Sequence, residues 1–496
     1  MAAHGGTNTG PGGIPRGACA VVLLAVAQFL VVFDTTAFAV ALPSVARDWG
    51  LATAGLTWLL SAYSVCFAAL PVLAGALGRA FGQRRVLMGG LALSSVAAAA
   101  PAVFSAAWVL MASRAVQGIA AAAMTAGALA LIDATHPAGP ARDRALDVHF
   151  AVVACATPAA LLPCTLLLDV SETEKTIFWV QAAAGVLLLL LVPLALDESV
   201  PEPAARRRVG GAALAVVPLG FLAWFADWLG DRSVSATTVT VIAVAGALVP
   251  SVLGWFGRGE GVPELLSRLH RERAAWGAYT VVALLAAGLS GVVLVLTFAL
   301  QTVGGLSPMQ VGWALLPAVA GVVLGCLVLP GLAARLGLGA AVAGACAVAA
   351  AGFVLLGLPG TGFRFADVLL PLLLIAFGCG VLALPVGFAR SGSGALPRGL
   401  NSSRQLGAGL GVSLFVGIVT VAQQRWGAAV PFSRLKEYQA LLAGAFRDCF
   451  GLGTALCLTA AAIALLTLPR RGARVTGPDP GVSGGAPAGT AGSPGS

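Results

Sequence analysis

At 496 residues, 58% of them hydrophobic and 10% charged, the chain has a mean hydropathy of +0.94. That is too apolar for a water-soluble globule and is the composition of a polytopic helical membrane protein. Its net charge of +9 comes from 29 basic residues that sit in short loops between apolar segments, which favours a membrane topology over a nucleic-acid-binding face. Nine cysteines with no CxxC pair and four scattered histidines provide neither a disulfide framework nor a zinc site, so no metal or cofactor is expected.

A span needs about 20 mostly apolar residues. The first 16 residues are Gly-rich and are read as a disordered tail. The first apolar segment, 17–42, is too long for a signal-peptide core and lacks a small-residue cleavage site, so it is kept as a membrane helix. Five more follow at 54–77, 86–106, 108–132, 148–168 and 177–196, then a pair at 211–229 and 236–256. The stretch "GRGEGVPELLSRLHRER", 257–273, reads as a cytoplasmic connector, with an amphipathic interfacial helix as the alternative. The remaining spans are 275–301, 309–332, 338–358, 366–388, 402–424 and 440–468, making fourteen, and a Gly/Pro/Ser/Thr-rich tail follows from 469.

Basic residues alternate with these loops. Arg79, Arg84 and Arg85, then Arg206, Arg207 and Arg208, then Arg258, Arg268, Arg271 and Arg273, then Arg390, Arg398 and Arg404, and finally Arg470, Arg471 and Arg474 fall on one side. The other side holds mostly isolated ones such as Arg47, Lys175, Arg232 and Arg364. The excess marks the first side as cytoplasmic and puts both termini there.

Two charges interrupt the apolar runs. Asp34, in "VVFDTTAFAVALP", lies about 22 Å from the cytoplasmic face at 1.5 Å per residue, and Arg114 lies about 20 Å from it. Opposite charges at one depth admit two readings: a permanent ion pair holding helices together, or a carboxylate whose protonation switches with exposure to either side. Thr35 and Thr36 follow Asp34, and Pro43 is expected to end that helix. Gln117 lies one turn from Arg114 on the same face, and Tyr63 and Gln301 are further isolated polar groups in apolar helices.

Together these residues resemble the major facilitator superfamily, in its fourteen-helix drug:proton antiporter branch. "DTTAFAVALP" is similar to the branch's first-helix pattern LDxTIVNVALP, "GALGRAFGQRR" (75–85) to the second-to-third-helix loop GxLADRxGRR, and "RAVQG" (114–118) to the fourth-helix pattern RxxQGxGxA. "LQTVGGLSPMQVGWALLP" (300–317) and "GLNSSRQLGAGLGVS" (399–413) resemble later helices of the branch. The fold implied is all-α, with fourteen transmembrane helices: a six-helix bundle at 17–196, a linker with two extra helices at 197–256, a connector at 257–274 and a second six-helix bundle at 275–468. The best internal echo of a repeat is "GLAARLG", 331–337, against "GALGRAFG", 75–82.

The departures bear on function. Where the family's loop carries an aspartate that helps latch the bundles, this chain has Arg79, although Gly75, Gly82, Arg84 and Arg85 of the loop motif remain. Ala39 replaces an asparagine, and of the fifth-helix pattern GxxxGPxxGG only Pro158 survives in "VACATPAALL". The resemblance implies a non-enzymatic exporter of amphipathic organic compounds driven by proton antiport, monomeric, in a bacterial plasma membrane. Asp34 and Arg114 would couple protons, while Thr35, Tyr63, Gln117 and Gln301 would line a cavity suited to hydrophobic or cationic compounds. A facilitator with lost coupling and a non-transporting sensor are the alternatives.

Overall fold

The computed structural model describes residues 16–49, 70–136, 139–171, 173, 175–198, 201–206, 273–358, 365–383 and 435–468, with parts of 59–69, 209–216 and 400–419. Twelve helices are bounded in these segments: α1 (Arg16–Asp48), α2 (Pro71–Phe81), α3 (Gln83–Val103), α4 (Ala107–Thr135), α5 (Pro140–Ser171), α6 (Lys175–Ala195), α7 (Arg273–Thr302), α8 (Pro308–Leu315), α9 (Pro317–Leu336), α10 (Leu338–Gly357), α11 (Phe365–Cys379) and α12 (Leu435–Thr467). Short 3-10 turns lie at Pro203–Ala205 and Gly380–Ala383. Among the described residues eight helices are long and apolar enough to cross a membrane, as a backbone with no water to bond must satisfy itself within each helix. The expected span 236–256, all of 211–229 but residues 213 and 216, nearly all of the connector, and the 469–496 tail lie outside the described residues.

Three elements differ from expectation, each for a backbone reason. Pro43 does not end α1, which continues to Asp48; a proline removes one helical hydrogen bond and can bend a helix without stopping it. The fifth helix starts at Pro140 rather than 148, and its polar first turns are tied back to α4 by Arg142, whose Nε donates to Asp133 at 2.9 Å. The expected span 309–332 is split at Leu316 into α8 and α9. Pro317 has no N–H to offer the Trp313 carbonyl, which accepts instead from Leu316 at 3.3 Å. α8 also opens on a capping box: Gln310 N donates to Ser307 Oγ and Ser307 N to Gln310 Oε1.

The internal echo has a structural counterpart. α2 and α3 join through Gly82 (φ 106°, ψ 129°), and α9 and α10 through Gly337 (φ 89°, ψ 153°). In both, the glycine N–H closes the preceding helix onto the carbonyl four residues back, Gly78 and Ala333 respectively. Only glycine adopts this backbone cheaply.

The buried apolar side chains form two clusters. One is drawn from α1 and α3 to α6 with part of 59–69; the other is drawn from α7 to α12 with part of 400–419, and takes in Val40 and Leu161 from the first half. The seam between them is formed by α5 against α8, α9 and the Gly380–Ala383 turn, and by α1 against α7. The outer faces are apolar too: Leu187, Leu190 and Leu194 of α6 and Leu324 and Leu327 of α9 are exposed. Such faces suit lipid rather than water.

Candidate functional site

Asp34, on α1, and Arg114, on α4, meet inside the first half of the molecule. Arg114 Nη1 donates to Asp34 Oδ1 at 3.0 Å and Oδ2 at 3.2 Å, and also to Gln117 Oε1 at 2.9 Å. Gln117 Nε2 reaches Gln181 Oε1 of α6 at 3.5 Å. The four side chains form one hydrogen-bonded chain across three helices, and all are buried, Arg114 to 1% exposure and Asp34 to 4%. A buried cation and anion are tolerable only when paired and bonded in this way.

Aromatic faces complete the enclosure. The Arg114 guanidinium carbon sits 4.3 Å from the ring centroids of both Phe38 and Tyr63, a cation–π geometry on two sides. Phe38 is one turn beyond Asp34 on α1. Tyr63 comes close because residue 118 is glycine: a Cβ there would stand 2.5 Å from the Tyr63 carbonyl oxygen and 2.9 Å from Cys66 Cβ. The glycine of "RAVQG" is thus a spacer that lets residues 59–69 press on α4 and lay the Tyr63 ring on Arg114.

Of the candidate cavity residues, Gln117 and Tyr63 belong to this site, and the Tyr63 hydroxyl has no hydrogen-bond partner among the described residues. Thr35 does not join: its hydroxyl donates to its own helix at Val32 O, 2.8 Å away. Gln301 lies near the end of α7 in the other half, with its Nε2 buried and unpartnered among the described residues. α5 is helical through Pro158.

The loop motif is organised by the chain that follows α6. Arg85 pairs with Glu198, Glu202 N donates to the Arg79 carbonyl at 2.8 Å, and Arg206 lies 5.4 Å over the Phe81 ring. Gly82 shapes the turn, while Gly75 sits within α2 and Arg84 within α3. The Arg79 backbone therefore anchors the exit from the first six helices.

Several polar groups escaped the sequence reading. Gln181 had the same signal as Gln301, a lone amide in an apolar run. His149 of α5 is fully buried, and Arg404, counted above as a cytoplasmic loop residue, is buried to 8% exposure. Gln28, one helix face away from Asp34 on α1, is buried to 1% with both amide atoms unpartnered among the described residues.

Comparison with known proteins agrees with this architecture. The sequence model of the Major Facilitator Superfamily matches residues 24–412. The puromycin resistance protein pur8 of Streptomyces alboniger is 31% identical over 82% of this chain and 83% of its own. The cephamycin export protein CmcT of Amycolatopsis lactamdurans is 30% identical over 91% of this chain and 92% of its own. Among solved structures, an inward-facing, occupied bacterial homologue of the human lysosomal transporter Spinster superposes with a TM-score of 0.62 at 14% identity, covering 92% of this chain and 97% of that one. The chain belongs to the Major Facilitator Superfamily of transporters, in the branch that holds antibiotic-export and drug-resistance proteins.

Proposed function

We propose that this protein exports amphipathic organic compounds, drugs or antibiotics, from the bacterial cytoplasm by proton antiport, and that Asp34 is the coupling carboxylate. The observation that carries the reading is the buried, hydrogen-bonded chain of Asp34, Arg114, Gln117 and Gln181 in an otherwise apolar bundle. An ion pair so deep stabilises poorly compared with apolar packing, so its retention points to use. Deprotonated Asp34 holds Arg114 and, through it, α1 against α4. A proton arriving at the carboxylate cancels its charge and loosens that hold, while Arg114 keeps Gln117 and two ring faces. Release to the opposite side restores the pair. If the two halves rock about the seam of α5 and α1, the two states of Asp34 are exposed to opposite faces in turn. The relatives named for puromycin resistance and cephamycin export support the cargo class. The protein would work as a monomer in the plasma membrane with both termini in the cytoplasm.

The test uses inverted membrane vesicles holding the full chain or Asp34→Asn, an imposed inside-acid gradient, and a panel of anionic, neutral and cationic amphipaths. Compound-dependent proton efflux is expected in the wild type and not in Asp34→Asn. Compounds that accumulate equally in both without moving protons would overturn the coupling and leave a facilitator.

A further inference from the structure

The charges buried among the described residues do not cancel. Asp34 and Arg114 neutralise each other, whereas Arg404 brings a third charge, and its Nε and Nη2 are buried with no hydrogen-bond partner among the described residues. Arg404 is held by its own helical stretch: at Gly407 and Gly411 that stretch runs directly against the Ala283 and Ala287 carbonyls of α7, where a Cβ would collide. Beside it Ser403 is fully buried, its hydroxyl likewise unpartnered among the described residues. Across from it lies His149, fully buried on α5 and close enough to feel the Arg404 charge. α5 is the element of the first half that packs against the second. Arg404 of the second half and His149 of the first, both buried, thus lie within electrostatic reach of each other.

We propose that Arg404 is the anion-recognition residue of the cargo site: the transported compound carries a carboxylate or an equally compact anion, which Arg404 binds as a fork with Ser403 and His149 beside it. This rests on the export reading above and narrows its cargo. Guanidinium offers paired N–H donors that match a carboxylate, and leaving them buried without an acceptor is costly. No acid among the described buried residues is open to a cationic compound, since Asp34 is already held by Arg114. The sequence favoured hydrophobic or cationic cargo because the expected cavity has few polar groups; the buried Arg404 adds one. A ligand held between His149 of one half and Arg404 of the other touches both moving bodies, which is where binding can bias their arrangement.

The experiment uses the purified full chain in phosphatidylcholine nanodiscs. Binding of 2-naphthoate, its methyl ester and 2-naphthylmethylammonium is measured by calorimetry, and thermal midpoints are taken without any probe. The wild type is expected to bind naphthoate at least roughly tenfold more tightly than the other two. Arg404→Gln is expected to abolish that preference, Arg404→Lys to keep part of it, and His149→Asn to weaken naphthoate but not the ester. The probe-free midpoint of Arg404→Gln should hold or rise, because a lone buried charge is removed. A midpoint that drops as it does for Arg114→Gln would mean that an acid of this chain already pairs Arg404, and would overturn the proposal. So would equal binding of the three probes, or loss of the naphthoate preference when phosphatidylglycerol replaces the neutral lipid, which would assign the site to a lipid headgroup. Because the readout is binding, its failure is separate from a failure of proton-coupled export in the vesicle test.

Discussion

Removing either partner of the Asp34–Arg114 pair should destabilise the protein, but the two losses should respond differently to pH. At 3.0 Å, with an effective dielectric constant of about 20, the attraction is bounded at roughly 5 kcal/mol. Desolvation offsets part of this, so the coupling energy between the two sites is expected near 3 kcal/mol, well above the value of about 1 kcal/mol or less for exposed pairs. Asp34→Asn leaves a guanidinium that cannot shed its charge, yet Phe38, Tyr63 and Gln117 stay in place around it. Its cost should be about 2 kcal/mol and flat with pH. Arg114→Gln leaves a carboxylate that can take up a proton, which limits the cost at pH 7 to about 4 kcal/mol, three units above the ordinary aspartate value at 1.36 kcal/mol each. In that variant the folded state binds the extra proton, so its stability falls as pH rises, and the penalty should shrink by about 2.7 kcal/mol between pH 7 and pH 5. The double variant Asp34→Asn/Arg114→Gln should lie closer to the wild type than the sum of the singles. Unfolding by sodium dodecyl sulfate, followed by fluorescence of the 10 tryptophans, measures all four proteins. Additive singles, with an Arg114→Gln penalty indifferent to pH, would refute the pairing argument.

Other substitutions test the supporting geometry. Gly118→Ala places a methyl group against the Tyr63 carbonyl and should lift Tyr63 from Arg114, costing transport at least roughly tenfold; Gly89→Ala, with nothing within 4 Å, serves as the matched control and should be silent in the same vesicle assay. Gly82→Ala and Gly337→Ala each force a side chain into positive φ and should lower stability by about 1 kcal/mol apiece, read from unfolding midpoints. Arg85→Gln should change stability by less than about 1 kcal/mol, because its partner Glu198 and Arg85 itself are more than half exposed; a larger loss, insensitive to added salt, would show that the strap from α6 holds the loop by more than this pair.

The same physical rule explains what the sequence exposed and what it hid. Asp34 and Arg114 stood out because each breaks a run of apolar residues, and helix rise alone put them at one depth; the structure joins them at 3.0 Å. That α1 and α4 are neighbours in space, and that Phe38, Tyr63 and Gln181 close around the pair, depends on helix rotation and packing, which residue spacing within one segment does not set. Pro43 misled because a proline inside a helix removes one hydrogen bond and can bend the helix without ending it, and α1 runs on to Asp48. At Pro317 the chain met the same constraint differently, tightening one turn instead of unwinding. Arg404 was hidden for the opposite reason to Asp34. An arginine at the cytoplasmic end of an apolar run is what membrane topology ordinarily requires, so it carries no surprise, and only burial with two nitrogens unpartnered among the described residues separates it from its neighbours. Hydropathy therefore detects a functional charge by its contrast with what surrounds it. A charge at mid-span has that contrast by position, whereas one at a span's end acquires it only when the folded molecule buries it, as it does Arg404.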